Sequence, residues 1–582
     1  MKRFFLFLLC FVFMMSMGMA GCGQTDSQQS TTKDTPGAGT STGTSGDESA
    51  YSAPGVYPIA KDKITLRFVT RQHAAITDYN TNEFSKYMEE KTNVKIEWET
   101  IPTDSSGSAK EKLNLLLATG EYPDAFFGLQ SDIKDSVLTQ YGTQEQVFLP
   151  LESIIDKEAV ELKKIFQEIP GSREEITSLD GHIYSMPEVN QCYHCTYQTK
   201  MWVNKVWLDN LGMKVPTTTD EFYAMLKAFK ENDPNRNNKK DEIPMAAAQK
   251  SGWENEVEKF LMNSFCYYNF EMYDHNSFTA RGFYMNNGKV DAPYYDPGLK
   301  EGLSYINKLY KEGLIYDGSF TQDNNQLTQL VENPDAELVG AIPSGYGGMF
   351  AQLGGDRYKQ FICISPLKGP NGIQYACTYP YEGVYVGGFV VTKDCKYPEV
   401  AVKWADYLYT FDGTTRLTRG VPDTDWRIPK EGELGIDGKA ALYVPLRAWD
   451  ETKPQNSSFI QVGITKRDNA YRLGEFMDAN VDMYSGDGLE KLLYTVSKEL
   501  YEPYGQKDKA MPHLKFTKEE NDELMTLLVE YDKYAKENLT KFIVGKFSVE
   551  KDWDNFLQNL EKLQMKKIME MYQTAYDRQF KK

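Results

Sequence analysis

The sequence has few residues and motifs of the kinds that build common active sites. Its 582 residues include only eight cysteines and five histidines. After residue 55 the chain has no Gly-x-Ser-x-Gly nucleophile elbow, no His-Glu-x-x-His zinc motif and no Gly-x-x-x-x-Gly-Lys-Ser/Thr phosphate loop. No motif therefore indicates catalysis. Glycoside hydrolysis is the main enzymatic alternative, because it requires only two carboxylates and the chain has 83 acidic residues.

The cysteines are too sparse for a disulfide scaffold. The segment Cys192-Tyr-His-Cys195 has the spacing of half a zinc site, with His194 as a third ligand. No second Cys-x-x-Cys and no His-x-x-x-His is present to complete it, so a loop disulfide or two free thiols is the favoured interpretation. The six cysteines beyond the N-terminal region are Cys192, Cys195, Cys266, Cys363, Cys377 and Cys395.

The chain also lacks an excess of basic residues. Its formal net charge is -18, with 65 Lys and Arg against 83 Asp and Glu. Binding to nucleic-acid phosphates depends on clustered Lys and Arg, so a nucleic-acid partner is not expected. The composition, 41% hydrophobic and 13% aromatic, is typical of a globular protein long enough for two or three domain-sized cores.

A long apolar run is present at the N-terminus. Lys2 and Arg3 precede an apolar stretch from Phe4 to Met19, which is shorter than the roughly 20 residues of a membrane-spanning helix. This pattern predicts a signal peptide over residues 1–21. The segment Met19-Ala20-Gly21-Cys22 resembles the lipobox of bacterial lipoproteins, which implies cleavage before Cys22 and acylation of its thiol.

The segment that follows predicts a tether. Residues 22–55 consist mostly of Ser, Thr, Gly, Gln and Asp, a composition that cannot bury enough apolar surface to fold. Two or more acyl chains make membrane attachment persistent. We therefore expect a protein anchored by lipid to the extracellular face of the cell membrane, with its folded part in water.

Alternating strand and helix patterns begin after the tether. Ile64, Leu66 and Phe68 alternate with polar residues, a helical spacing follows, and Val94 and Ile96 alternate again. A second helix ends at Gly120 and leads into another short apolar strand. This βαβαβ pattern predicts an α/β fold with a mostly parallel sheet. The last 70 residues or so have two long helical patterns, which predict a helical C-terminal extension.

Several motifs together resemble extracellular solute-binding protein family 1, in particular the large lipoproteins related to alginate-binding and oligosaccharide-binding components of ABC importers. The resemblance spans residues 60–430. It implies a maltodextrin-binding type of fold, in which two α/β lobes close around a ligand by hinge motion. The motifs are Gly120-Glu-Tyr-Pro-Asp124, Asp180-Gly-His-Ile-Tyr-Ser-Met-Pro187, Met201-Trp-Val-Asn-Lys-Val-Trp-Leu-Asp-Asn-Leu-Gly212, Pro216-Thr-Thr-Thr-Asp-Glu-Phe222, Leu309-Tyr-Lys-Glu-Gly-Leu314 and Phe389-Val-Val-Thr-Lys393.

The resemblance also implies a domain division and a set of partners. One lobe is expected to hold residues 56–190 and 335–392, and the other residues 191–334 and 393–582. The expected function is capture of a carbohydrate, and its delivery by a monomeric protein to the transmembrane subunits of an ABC permease. A receptor whose closed state is read by a sensor kinase is a further alternative, and neighbouring permease or kinase genes would distinguish the two roles.

A polar loop after residue 232 predicts a calcium site. Oxygen ligands at positions 1, 3, 5 and 9, with a backbone carbonyl at 7, are typical of an EF-hand loop. The usual Glu at position 12 is missing, and the alginate-binding relatives imply that a Glu at position 10 replaces it. A polar turn without metal is the alternative. The expected ligands of a structural Ca²⁺ are Asp233, Asn235, Asn237, Lys239 through its carbonyl, Asp241 and Glu242.

Candidate ligand-binding residues lie where predicted strands end or lobes cross. Carbohydrate sites pair aromatic rings, which stack on the C–H faces of sugars, with side chains that hydrogen-bond to hydroxyls. Each candidate alone also fits a core or surface role. The candidates are Tyr184, Trp202, Asn204, Trp253, Tyr346, Tyr381, Glu382, Trp426 and Arg427.

Overall fold

The computed structural model describes residues 50–102, 108–250, 252–269, 282–379, 383–447 and 453–581. The predicted signal peptide, most of the tether and Cys22 therefore lie outside the described residues. From Ala50 onward the chain belongs to one contact unit. Its strands are β1 (Ile64–Arg71), β2 (Val94–Ile101), β3 (Ala125–Phe127), β4 (Met186–Asn190), β5 (Met201–Asn204), β6 (Tyr284–Asn286), β7 (Lys289–Asp291), β8 (Ala341–Pro343), β9 (Phe361–Ile364), β10 (Val384–Val391), β11 (Trp426–Arg427), β12 (Val444–Pro445) and β13 (Lys466–Arg467).

The helices supply most of the layers that cover these strands. Several begin at a side chain that accepts a hydrogen bond from the first turn, such as Asn82 before α1 and Thr218 before α8. The α-helices are α1 (Glu83–Thr92), α2 (Ser108–Thr119), α3 (Asp135–Leu138), α4 (Glu152–Glu158), α5 (Glu161–Glu168), α6 (Ser172–Ile176), α7 (Lys205–Leu211), α8 (Thr219–Glu231), α9 (Val257–Met262), α10 (Pro297–Lys311), α11 (Asn324–Val331), α12 (Pro398–Asp406), α13 (Phe411–Arg419), α14 (Asn469–Leu473), α15 (Leu489–Val496), α16 (Lys518–Ile543), α17 (Val549–Lys562) and α18 (Met565–Phe580).

A six-stranded sheet, in the order β13-β4-β10-β3-β1-β2, forms the centre of the first core. β1 is parallel to β2 from the pair Ile64–Val94 to the pair Arg71–Ile101, and it is also parallel to β3. The predicted βαβαβ pattern is therefore confirmed. β10 is antiparallel to both neighbours, and all eight of its residues are buried, as expected for an apolar strand covered on both faces.

A three-stranded sheet, in the order β8-β5-β9, lies in the second core. β5 is antiparallel to both neighbours, and all four of its residues are buried. α8, α10 and the C-terminal helices contribute apolar side chains to the same core, among them Phe229, Leu303 and Tyr531. The predicted helical C-terminal region is confirmed.

The chain passes between the two cores three times. Residues of the first core end at Val189 and those of the second begin at Tyr197; the chain returns to the first core after Ala376, and it enters the second again after Ile464. Two sheets joined by several crossing segments give the two-lobed α/β architecture that the sequence predicts.

The cores divide the chain differently from the predicted lobe boundaries. β8 and β9, which the prediction placed with the first lobe, pair with β5 of the second sheet. Residues Val400 to Ile464, predicted in the second lobe, contribute to the first core. The reason is that both short apolar strands after Gly340 satisfy their hydrogen bonds on either side of β5. As a statement about lobes that move as units, the predicted division stays a prediction.

The described residues contain no helix that is long and apolar enough to cross a membrane.

Candidate functional site

The carboxyl ends of the parallel strands share one edge of the six-stranded sheet. β3 and β4 are both antiparallel to β10 and therefore run in the same direction, as do β1 and β13. In α/β sheets ligands bind at this edge. Here it carries Arg71 at the end of β1, Asn190 at the end of β4 and Arg467 at the end of β13. We call it the polar edge.

Glu188 on β4 is the centre of the polar edge. Its side chain is buried and accepts a hydrogen bond from Gln130 Nε2. Burial raises the pKa of Glu188 to about 7, although Arg467 opposes the shift. Gln130 Oε1 and Asn190 Oδ1 are buried acceptors without a hydrogen-bond partner among the described residues. The edge thus combines carboxyl and amide acceptors with a guanidinium donor, which is the chemistry that recognises hydroxyl groups.

Two half-buried aromatic rings lie beside the second sheet. The ring centroids of Trp253 and Tyr346 are 5.9 Å apart, with an interplanar angle of 59°. Tyr346 follows β8, and Gly345 N donates to Trp253 O over 2.8 Å. A Cβ at Gly345 would lie only 2.4 Å from the Trp253 ring, so this approach requires glycine. We call these two rings the aromatic pair.

His194 and Glu490 connect the aromatic pair to the polar edge. The His194 and Trp253 ring centroids are 6.2 Å apart in an edge-to-face arrangement. His194 Nε2 lies 3.7 Å from Glu490 Oε2, and Arg472 NH2 lies 3.5 Å from the same oxygen. Burial lowers the pKa of His194, which favours a neutral ring. Neighbouring polar and aromatic groups therefore follow one another from Arg472, just after β13, to Trp253 beside the second sheet.

The Cys192–Cys195 pair beside His194 is a disulfide. Cys192, His194 and Cys195 are close enough to share a metal ion, but sulfurs joined in a disulfide are not thiolate ligands. Of the alternatives left open by the sequence, the loop disulfide is the one observed.

The first three predicted ligand-binding residues make hydrogen bonds within the protein. The Tyr184 hydroxyl donates to Asp180 Oδ2 over 2.7 Å, and the ring is 4% exposed. Trp202 is wholly buried on β5, where its Nε1 donates to Ser344 O over 3.0 Å. Asn204 caps α7 by accepting from Trp207 N. These three residues therefore do not belong to the candidate site, and their predicted role in ligand binding stays a prediction.

Two later candidates also have structural partners. Trp426 is 3% exposed and donates from Nε1 to Gly420 O over 3.0 Å. Arg427 forms a fork with Glu433, at distances of 2.7 and 2.6 Å. Tyr381 and Glu382 lie outside the described residues. Of the nine predicted residues, the structure brings Trp253 and Tyr346 together, and both residues are half-buried.

The predicted calcium loop has the turn geometry of a cation-binding loop. Asp233 Oδ1 accepts from Asn237 N over 3.0 Å, and Asp233 Oδ2 accepts from Asn238 N over 3.1 Å. Asn238, at position 6 of the loop, has φ 59°, a left-handed conformation that asparagine adopts more readily than most residues. Asp241 accepts from the side-chain amides of Asn235 and Asn237. The loop therefore folds its oxygen-bearing side chains toward each other.

Carboxylates crowd together at the end of this loop. Burial raises the pKa of Glu242, and the nearby Asp241 and Asp233 raise it further. Glu242 Oε1 is buried without a hydrogen-bond partner within the described ranges. A divalent cation would relieve this repulsion, and oxygen donors are the ligands that Ca²⁺ prefers. The residues present fit a calcium ion.

Sequence reasoning missed the polar edge and the connecting pair. Glu188 and Asn190 stand two residues apart on β4, so both point to one face, but a strand of five residues gives little periodicity to detect. Arg467 lies on a two-residue strand. The one usable signal was a carboxylate, Glu188, within the otherwise apolar run Met186-Pro-Glu-Val189.

Comparison with known proteins gives a consistent set of relatives. Residues 72–414 match the family model described as bacterial extracellular solute-binding protein. A fructooligosaccharide ABC transporter substrate-binding protein, FusA of Streptococcus pneumoniae serotype 4, is 27% identical over 538 residues, which are 90% of this chain and 93% of FusA. Lipoprotein LipO of Bacillus subtilis is 24% identical over 365 residues, 60% of this chain and 65% of LipO.

Solved structures with the same fold include FusA itself. FusA in complex with kestose superimposes with a TM-score of 0.68 at 25% identity, covering 88% of this chain and 99% of FusA. A FusA EF-hand mutant in complex with fructo-nystose gives a TM-score of 0.65 at 24% identity, covering 88% and 99%. A solute-binding protein from Bifidobacterium longum infantis, described as human-milk-oligosaccharide (HMO) binding and associated with an ABC transporter, gives 0.71 at 20% identity, covering 89% and 99%. These likenesses confirm the predicted two-lobed fold.

Proposed function

Because the chain belongs to the bacterial extracellular solute-binding protein family, we propose that it captures an oligosaccharide as the substrate-binding protein of an ABC importer. It releases the sugar chemically unchanged to the transmembrane permease subunits. The observation that carries this proposal is the partly exposed aromatic pair, Trp253 and Tyr346, which His194 and Glu490 connect to the polar edge.

The two parts of the site have complementary chemistry toward a sugar. The aromatic pair offers a stacking surface for the apolar C–H face of a pyranose or furanose ring. The polar edge offers acceptors at Glu188, Gln130 and Asn190, and a donor at Arg467, for the hydroxyls around that ring. Neither part surrounds a ligand alone, since each belongs to a different sheet.

Binding is expected to shift the population of open and closed lobes. A ligand that contacts both sheets binds the closed arrangement more tightly than the open one, and it moves the equilibrium by that difference in affinity. The permease would then recognise the closed arrangement. A sensor kinase could recognise it as well, so transport is distinguished from signalling by uptake of labelled sugar in cells with and without the protein.

Fructooligosaccharides are the first ligand class to test. The support is the match to FusA, which extends over 90% of this chain. Kestose is the first ligand for titration, since it is the sugar bound in one FusA structure. Heat on titration with kestose, and a raised unfolding midpoint without released monosaccharide, would support a receptor. Release of monosaccharide would favour a glycoside hydrolase instead, and binding of another sugar alone would replace the ligand class.

Export and lipid anchoring at Cys22 complete the proposed function. The segment Met19-Ala20-Gly21-Cys22 and the polar tether behind it support acylation, and LipO is a relative named as a lipoprotein. The protein would act as a monomer at the extracellular face of the membrane. Incorporation of labelled palmitate into the wild-type protein, but not into Cys22→Ser, is the expected result. A labelled Cys22→Ser variant would contradict the anchor.

We also propose that the loop Asp233–Glu242 holds a structural Ca²⁺. Asp233, Asn235, Asn237, Asp241 and Glu242 would supply side-chain oxygens, and Lys239 its carbonyl. The ion would neutralise the crowded carboxylates and fix the loop that follows α8. The FusA structure described as an EF-hand mutant supports a site of this kind among the relatives.

A further inference from the structure

The segment between β4 and β5, residues 191–200, contacts Trp253 from more than one side. Trp253 Nε1 donates a hydrogen bond to Gln198 Oε1. The His194 ring lies edge-to-face with the Trp253 ring. Thr199 Oγ1 donates over 2.7 Å to Glu254 Oε2, in the residue that follows Trp253. We call residues 191–200 the crossover segment, since it carries the chain from the first sheet to the second.

The crossover segment is itself tightly held. The Cys192–Cys195 disulfide closes its first turn around His194. At its other end the Lys200 side chain is wholly buried, and its Nζ donates to the carbonyl oxygens of His194 and Tyr197. Burial lowers the pKa of Lys200 to about 8, so the ammonium form still dominates at neutral pH. A covalent closure and a buried ammonium therefore fix the residues that contact Trp253.

The other side of the indole is closed by the loop after β8. Gly345 allows the ring to approach its backbone, and Gly345 N donates to Trp253 O. Glu254 has φ 61°, a left-handed conformation that is uncommon for a glutamate. Its carboxylate is held by Lys259 Nζ at 3.0 Å as well as by Thr199. The indole therefore lies between the crossover segment and the loop after β8, and its Nε1 donates to a side chain of the crossover segment, Gln198.

We propose that the crossover segment is the positioning element of the Trp253 indole, with Gln198 and the Cys192–Cys195 disulfide as its essential parts. The proposal rests on the proposed function, in which Trp253 contacts the sugar. Because the same segment joins the two sheets, the arrangement of the aromatic pair is set by the connection between the lobes. Loosening this segment weakens sugar binding without removing any group that contacts the sugar.

The test measures the environment of the Trp253 indole separately from the affinity for sugar. The chain has eight tryptophans, so the Trp253 signal is taken as the near-ultraviolet circular dichroism of each protein minus that of the same protein with Trp253→Phe. Gln198→Met removes the acceptor and keeps the volume, and Gln198→Glu keeps an acceptor. The Cys192→Ser/Cys195→Ser double variant opens the disulfide. Dissociation constants for kestose are measured on the same proteins by calorimetry.

We expect Gln198→Met and the double serine variant to change the Trp253 signal and to weaken kestose binding by about tenfold, the effect of losing one hydrogen bond of roughly 1.4 kcal/mol. Gln198→Glu should keep the wild-type signal. An unchanged Trp253 signal in Gln198→Met overturns the proposal, even if the double variant fails to fold. Unchanged affinity despite a changed signal overturns it too. If the wild-type protein binds no sugar, the proposed function is wrong. The circular dichroism then still shows whether the crossover segment positions the Trp253 indole.

Discussion

His513 Nε2 lies 2.9 Å from Asp135 Oδ2, and this contact joins segments of different cores. Asp135 is the first residue of α3, whose Leu138 belongs to the first core, while Leu514 beside His513 belongs to the second. Glu175 at α6 contacts the other ring nitrogen of His513. One imidazole therefore lies between two carboxylates, with only 13% of its side chain exposed.

We expect His513→Gln to destabilise the protein in a pH-dependent way. Burial lowers the pKa of His513, but Glu175 and Asp135 outweigh burial and raise it well above its usual value. A raised histidine pKa gives stability that is complete below the unfolded pKa of about 6.5 and is lost as pH rises through the folded value. The variant should lose roughly 3 kcal/mol of unfolding free energy at about pH 6, and the deficit should shrink in alkaline solution. Urea unfolding at several pH values measures it.

His182→Gln is the matched control for this prediction. His182 also contacts a carboxylate, Glu152, with Nδ1 2.8 Å from Oε1, but 48% of its side chain is exposed. Solvent screens such a pair, so this variant should change stability little at any pH. A deficit in His513→Gln that stays constant with pH would contradict charge pairing and leave only a packing role for His513.

Glu188→Gln should also remove a fall of stability with rising pH, but in a lower pH range than His513→Gln. Burial raises the pKa of Glu188 to about 7, against about 4.3 in an unfolded chain. The folded state then retains the proton that the unfolded state releases, so unfolding free energy falls as pH rises between these two values, by at most about 3.7 kcal/mol. The variant should lack this fall and be at least as stable as the wild type at about pH 8. Thermal unfolding across this range measures the slope.

Glu433→Gln is the control for the Glu188 prediction. Arg427 hydrogen-bonds to Glu433 and lowers the pKa of that carboxyl to about 2, outside the range in which Glu188 titrates. The slope between about pH 4.3 and 7 should therefore match that of the wild type. If Glu188→Gln kept the wild-type slope as well, Glu188 would be ionised throughout, with Arg467 compensating its burial.

The sequence predicted the elements whose patterns are long or repeated. β1 and β2 are eight residues long and alternate over their first five residues, and one parallel pair is enough to indicate an α/β sheet. The lobe of β8 and β9 could not be predicted, because apolar strands of three and four residues fit either sheet. Their partner, β5, lies about 140 residues before β8, a distance at which local pattern carries no information.

Prediction of the site followed residue type, and residue type does not distinguish a stacking ring from a core ring. Trp202 and Trp253 are both tryptophans of the second sheet region, but their environments differ. Trp202 lies on β5, whose residues are all buried, while Trp253 lies in a loop. The candidate calcium loop could be proposed from the sequence because its expected ligands all lie between Asp233 and Glu242. The polar edge was not, since Gln130, Glu188 and Arg467 come from three distant strands or their ends.

Trp253→Ala should weaken kestose binding by roughly 30-fold, or about 2 kcal/mol, as expected for the loss of a partly exposed aromatic anchor. Trp253→Phe should retain part of the affinity, because a smaller ring still stacks. Phe580→Ala is the control, since Phe580 is 52% exposed at the end of α18 and should leave binding unchanged. Calorimetric titration of the three variants decides: wild-type affinity in Trp253→Ala would place the sugar away from the aromatic pair.

Removal of calcium should destabilise the wild-type protein through the loop Asp233–Glu242. An ion present at about 100 times its dissociation constant stabilises the folded state by about 2.7 kcal/mol, and a chelator withdraws that amount. Asp241→Ala deletes a carboxylate that accepts from Asn235 and Asn237, so its unfolding midpoint should no longer respond to calcium or chelator. Asp478→Ala is the control, because Asp478 is exposed and, among the hydrogen bonds that the structure describes, its side chain accepts only from Asn480 N in a surface turn; it should keep the full wild-type response. Thermal unfolding of the three proteins in calcium and in chelator measures the difference. If the wild-type midpoint is the same in both solutions, the crowded carboxylates of this loop are stable without a metal ion. If Asp241→Ala keeps the full response to calcium, the ion binds at another part of the chain.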